Sequence, residues 1–71
     1  MQPHQQRVID EKRELDDKIS RLVPFLSSDT FKTIPPAEQG RLKRQSRIMQ
    51  EYADVLGERI GEFTEEQAAK Q

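Results

Sequence analysis

The sequence predicts an all-α protein, an antiparallel two-helix hairpin with a short extra helical turn in the connection, assembling into a homo-oligomeric bundle. Three observations point there. Apolar residues recur every three or four positions through two long stretches, which puts them on one side of a helix in each. A short segment bounded by prolines separates the stretches, and so short a connection implies antiparallel neighbours. More apolar side chains remain than one hairpin can cover.

The first helix is expected over about 3–26. Pro3 suits the first helical position, where its missing N–H would be unpaired anyway. Val8, Leu15, Ile19, Leu22 and Leu26 form a two-per-heptad seam whose one gap is filled by Lys12. Charged residues occupy most other positions, and Glu14 with Lys18 makes a favourable i,i+4 pair. Pro24 cannot donate to the carbonyl of Ser20 and crowds it, so a kink or a stop at Val23 is expected.

Residues 27–35 form the connection. Ser28 is a good N-cap for a short turn, from which Phe31 and Ile34 can fold back over the open end of the hairpin. Pro35 and Pro36 then close the turn and start the second helix.

That helix is expected over about 36–64, with 65–71 as a frayed tail lacking an apolar stripe. Glu38 favours the positive end of its dipole. Leu42, Met49, Tyr52, Leu56, Ile60 and Phe63 make its seam, on which Gln45 is a polar intrusion and Arg59 is the alternative to Ile60. In an antiparallel pair, facing positions add to a near-constant, here about 68. This sets Leu26 against Leu42, Leu22 against Gln45, Ile19 against Met49, Leu15 against Tyr52, Lys12 against Leu56 and Val8 against Ile60.

Ile9, Val23, Ile48 and Val55 lie beside the seams. Burying a Val or Ile side chain stabilises by roughly 1.5–3 kcal/mol, so self-association through them is the expectation; scattered surface apolars are the alternative. Gly57 and Gly61 sit four apart, a spacing that lets another backbone approach closely, or else they loosen the helix end.

A chain of 71 residues is one small domain. With no cysteine and a single histidine, His4, neither disulfide, thiolate chemistry nor a metal site is expected. No Ser/His/Asp set, Gly-rich phosphate loop or H-E-x-x-H pair is present, so the expectation is a non-enzyme without catalytic residues or cofactor. No apolar run approaches the roughly 18–20 residues that span a bilayer. The stretch MQPHQQRVIDEKREL has no signal-peptide core, so a soluble protein without membrane partners is expected.

Net charge is −1, with 12 basic and 13 acidic residues, and argues against duplex nucleic acid as a partner. The order of charges says more. Arg41, Lys43, Arg44 and Arg47 fall within ten residues that hold no acid, whereas residues 51–71 hold six acids against Arg59 and Lys70. Lys18, Arg21 and Lys32 lie near the same end of the hairpin. Arginines along one side of a helix suit bidentate contact with phosphate, with Tyr52 or Phe31 available to stack a base. A solvated basic face, balanced by acids of a neighbouring subunit, is the alternative.

The pattern RVIDEKRELDDKISRLVPFL, then F-x-x-I with prolines, then L-x-x-Q-x-x-x-M-x-x-Y-x-x-V-L-x-x-R-I, resembles a family of short helical proteins of tailed bacteriophages, crAss-like phages included. It covers roughly residues 5–63 through Glu11, Leu15, Lys18, Leu22, Phe25, Phe31, Leu42, Gln45, Met49, Tyr52, Leu56, Arg59 and Ile60. Ile34-Pro35-Pro36 departs from the leucine and cap residue usual before the second helix. The resemblance implies phage origin and a helical fold. It also makes Lys18, Gln45 and Arg59 first candidates for a polar site, or for a polar contact that fixes register.

Phages use small oligomeric helical proteins for counter-defence. By that analogy the expected function is a homo-oligomeric sponge, acting in the host cytoplasm, that sequesters a nucleotide-type immune signal without turning it over. Its candidate ligand residues are Lys18, Arg21, Arg41, Arg44, Gln45, Arg47, Tyr52 and Arg59. The alternative is a protein-interaction module that inhibits a host defence or transcription complex.

Overall fold

A computed structural model describes the backbone of residues 2–69 and the side chains of residues 2–63. Helix α1 spans Pro3–Phe25, α2 spans Asp29–Lys32 and α3 spans Pro36–Ala69, and there is no strand among the described residues. The protein is all-α.

Helix α1 begins after Gln2, whose backbone N–H donates to Gln5 Oε1 at 3.0 Å. That bond satisfies one polar end of a side chain that is itself buried. The helix runs through Pro24 and ends at Phe25, one residue short of the expected end and two beyond the expected stop at Val23. Pro24 leaves the Ser20 carbonyl without its helical donor, and Ser20 is exposed, so water can supply one. Beyond it the Leu26 N–H still reaches the carbonyls of Leu22 and Val23, at 3.1 and 3.2 Å.

Ser28 caps α2 as its sequence position suggests. Its hydroxyl accepts from the Phe31 N–H at 3.2 Å and donates to the Phe25 carbonyl at 2.6 Å. Phe31 is thereby held in the interior, edge-on to Phe25 with ring centres 6.0 Å apart. The Lys43 ammonium lies 5.8 Å over the Phe31 ring, so one aromatic ring joins the connection to both long helices. Gln39 Nε2 donates to the Ile34 carbonyl at 2.6 Å and closes the turn before α3.

The long helices lie side by side in opposite directions. His4 meets Phe63 edge-on at 6.5 Å, Tyr52 bonds to Glu11, and Lys12 lies against Gly57. The result is a rod 55 × 16 × 14 Å. Helix α3 continues past the expected end at 64 as far as Ala69, through residues without glycine or proline. The expected frayed tail, 65–71, is helical over 65–69, and residues 70–71 lie outside the described residues.

The packed side of α3 corrects the expected seam at two positions. Glu38, Gln39 and Gly57 apart, the buried or half-buried residues of α3 follow 42, 46, 49, 53, 56, 60 and 63, so Ser46 and Ala53 take the places assigned to Gln45 and Tyr52. Tyr52 is 42% exposed, and Gln45 is exposed. The reason is volume. A small residue at 46 and 53 lets the backbones approach, while the larger neighbours flank the contact. On α1 and its C-cap Leu26 the matching positions are 5, 8, 12, 15, 19, 22 and 26, which adds Gln5 to the seam. These positions still add to 68 with those of α3, setting Leu15 against Ala53 and Leu22 against Ser46. Leu56 is the one completely buried large side chain among the described residues.

Candidate functional site

The last turns of α1 and the first turns of α3 form one groove, and α3 alone lines a second beside it. Antiparallel packing brings Lys18, Arg21, Leu22 and Phe25 opposite Gln45 and Met49, around an open groove of about 390 Å³. A second groove of about 350 Å³ runs along α3 between Glu38, Arg41, Arg44, Gln45, Ile48 and Met49. Gln45 and Met49 line both and form the ridge between them, the Gln45 amide lying 3.8 Å from the Met49 sulfur. Each volume falls in the range of small-molecule sites.

The charges in the grooves are held loosely. Arg21 pairs with Asp17 at 2.6 Å and Arg41 with Glu38 at 2.9 Å, both within one helix and both solvent-exposed. Such pairs contribute little, so a phosphate can compete for the guanidinium. Lys18 and Arg44 have no ion pair among the described residues. Phe25 and Met49 supply half-buried apolar surface beside these cations, suited to the face of a base.

Five of the sequence-derived ligand candidates therefore meet: Lys18, Arg21, Arg41, Arg44 and Gln45. Three do not. Arg47 lines neither groove. Arg59 lies fourteen residues beyond Gln45, about 21 Å along the helix. Tyr52 is tied to α1, its hydroxyl donating to the Glu11 carboxylate. That hydrogen bond, reinforced by desolvation and by repulsion from the Glu11 charge, raises the phenol above its ordinary pKa, against an opposing pull from Arg59. Tyr52 is thus an anchored, neutral phenol at physiological pH.

The interface candidates divide between two flanks. Ile48 and Val55 are exposed and share a stripe with Tyr52, at spacings of four and three. Gly57 is five residues from Tyr52, about 140° round the helix. A Cβ on it would come 3.3 Å from Lys12 Cε, so its own chain occupies that side. Gly61 faces open space, Ile9 is half-buried and Val23 is exposed.

Leu22 and Met49 line the grooves although their helical spacing marks them only as seam residues, and Phe25 joins them from beside the seam. Their position beside Lys18, Arg21 and Gln45, one turn or less away in each case, was the available signal. Among the described residues no group of three or more His, Asp or Glu side chains is placed to hold a metal ion, and no helix is long and apolar enough to cross a membrane.

The family model described as Sequestin matches residues 2–62, a span that contains both grooves. An "uncharacterized 7.5 kDa protein in denB-rIIB intergenic region" of Enterobacteria phage T4 is 40% identical over 63 residues. The match covers 89% of this chain and 98% of that protein. No solved structure matches.

Proposed function

The chain belongs to the Sequestin family of small phage proteins, and from that membership we propose that it sequesters a nucleotide-type immune signal of the infected host. In this reading it acts in the host cytoplasm as a counter-defence sponge. It works as an oligomer of single-domain helical hairpins and returns its ligand unaltered. The kinship extends, in the same reading, to the small helical proteins of crAss-like phages. The family name suggests sequestration. The observation that carries the chemistry is the convergence of Lys18, Arg21, Arg41, Arg44 and Gln45 on two adjoining grooves. Guanidinium forks and an ammonium suit phosphate oxygens, the Gln45 amide can both donate and accept at a base edge, and Phe25 with Met49 offers an apolar floor.

None of the candidate groups is a nucleophile beside a base, which favours binding over turnover. A screen of thermal stability against cyclic dinucleotides, cyclic trinucleotides and ADP-ribose derivatives tests the reading, because a ligand that binds only the folded chain raises Tm. Stabilisation by at least one of them, with the ligand recovered chemically intact after denaturation, is the expected outcome. The exposed Ile48–Val55 stripe favours a second reading, a module that inhibits a host defence or transcription complex. No stabilisation by any of these ligands, together with clean capture of one host protein, would establish that second reading instead.

A further inference from the structure

The exposed stripe of α3 is spaced almost symmetrically about Tyr52. Arg41, Gln45 and Ile48 lie eleven, seven and four positions before it; Val55, Arg59 and Glu62 lie three, seven and ten after it. Their spacings alternate between four and three, so all lie on one helical face, and all are exposed. The middle of the stripe is apolar or aromatic and its ends carry opposite charge.

We infer that this face is occupied by a second copy of the chain, with the two α3 helices antiparallel and the two-fold axis at Tyr52. Reversing the helix about Tyr52 sets Ile48 on the partner's Val55, Arg41 on the partner's Glu62 and Gln45 beside the partner's Arg59. Charge decides between the two directions. Residues 41–50 contain four cations and no acid, while residues 51–62 contain Glu51, Asp54, Glu58 and Glu62 against one arginine. Antiparallel pairing lays the basic half of each helix on the acidic half of the other. Parallel pairing would lay like on like.

This pairing also deepens the binder reading, on which this part of the inference rests. Arg59 lies about 21 Å from Gln45 within one chain, yet the two-fold brings the partner's Arg59 to the Gln45 ridge between the grooves. The cationic site is then completed by the second subunit, once at each end of the dimer.

Single-cysteine cross-linking of the full chain tests the geometry cleanly, because the natural sequence has no cysteine. A residue at a two-fold axis meets itself, so Tyr52→Cys is expected to form a disulfide-linked dimer under mild oxidation. Arg41→Cys should not, since the two copies of position 41 would be about 33 Å apart. Linking through both positions indicates a parallel pair and overturns the inference. A monomer mass at all concentrations of the unsubstituted chain overturns it too.

Charge exchange gives an independent readout. Arg41→Glu and Glu62→Arg should each raise the dimer dissociation constant about tenfold, and the double variant should restore it, with helical circular dichroism unchanged throughout. Failure of the double variant to restore association contradicts the Arg41–Glu62 pairing. The outcomes separate from those of the binder reading. A monomer that binds nucleotide overturns this inference and leaves that reading intact. A Tyr52-linked dimer that binds no nucleotide supports this interface and ends that reading.

Discussion

The hydroxyl of Tyr52 on α3 donates to the carboxylate of Glu11 on α1, fastening the two long helices together outside their apolar seam. The bond requires a neutral phenol. Because the folded-state pKa of Tyr52 is raised, its contribution to stability is fully present below about pH 10, its unfolded value, and is lost as pH rises through the folded value. Tyr52→Phe should therefore lower Tm at pH 7 to 9, and its deficit should begin to shrink above about pH 10 and vanish only once pH has passed the raised folded value, where wild-type tyrosinate faces the Glu11 charge. Melting curves of both proteins across that range check this.

Leu56 is 0% exposed and fills the middle of the seam. Leu56→Ala should destabilise by about 2–5 kcal/mol, the range for a buried leucine whose site relaxes incompletely. For a chain this small that loss will approach the whole stability, so denaturant titration should start from the most stable buffer. Ala53→Leu makes the complementary test. Ala53 is 6% exposed and opposes Leu15, so added volume should cost about 1–3 kcal/mol. If Ala53→Leu were neutral, the close approach of the helices at this point would be refuted.

The two glycines near the end of α3 should respond differently. Nothing lies within 4 Å of a Cβ placed on Gly61, so Gly61→Ala should stabilise by about 0.5–1 kcal/mol through helix propensity alone. Gly57→Ala should gain less, because its methyl meets Lys12 Cε at 3.3 Å and that stem must shift. Equal gains at both positions in denaturant titration would mean that Lys12 does not pack there.

Much of this fold is legible in the sequence, and the misplaced part has one physical origin. Large apolar residues three and four apart identified both helices, and Ser28 marked the cap of α2. Reading a seam by its large residues fails where the packing uses small ones. Ser46 and Ala53 carry too little apolar surface to register as core positions, and the spacing points to Gln45 and Tyr52, one place earlier. At Pro24, where a kink or a stop is expected, the helix runs on to Phe25. At an exposed carbonyl one turn from the end, a missing hydrogen bond shortens no helix. At the site, the basic run at the start of α3 was visible, but its division was not. Arg41 and Arg44 line a groove while Arg47, three residues further on, does not, a distinction that the order of charges does not carry.

Calorimetric titration of a nucleotide that stabilises the chain, into wild type and into Lys18→Ala, Arg44→Ala and Arg47→Ala, tests the proposed binding most directly. Lys18 and Arg44 line the grooves without competing ion pairs among the described residues, so each substitution should weaken binding about tenfold or more, the loss of one charge-assisted hydrogen bond. Arg47→Ala should bind like wild type, and the nucleotide recovered from every titration should be chemically unchanged. Equal loss across all three variants, or a hydrolysed ligand, would contradict the account.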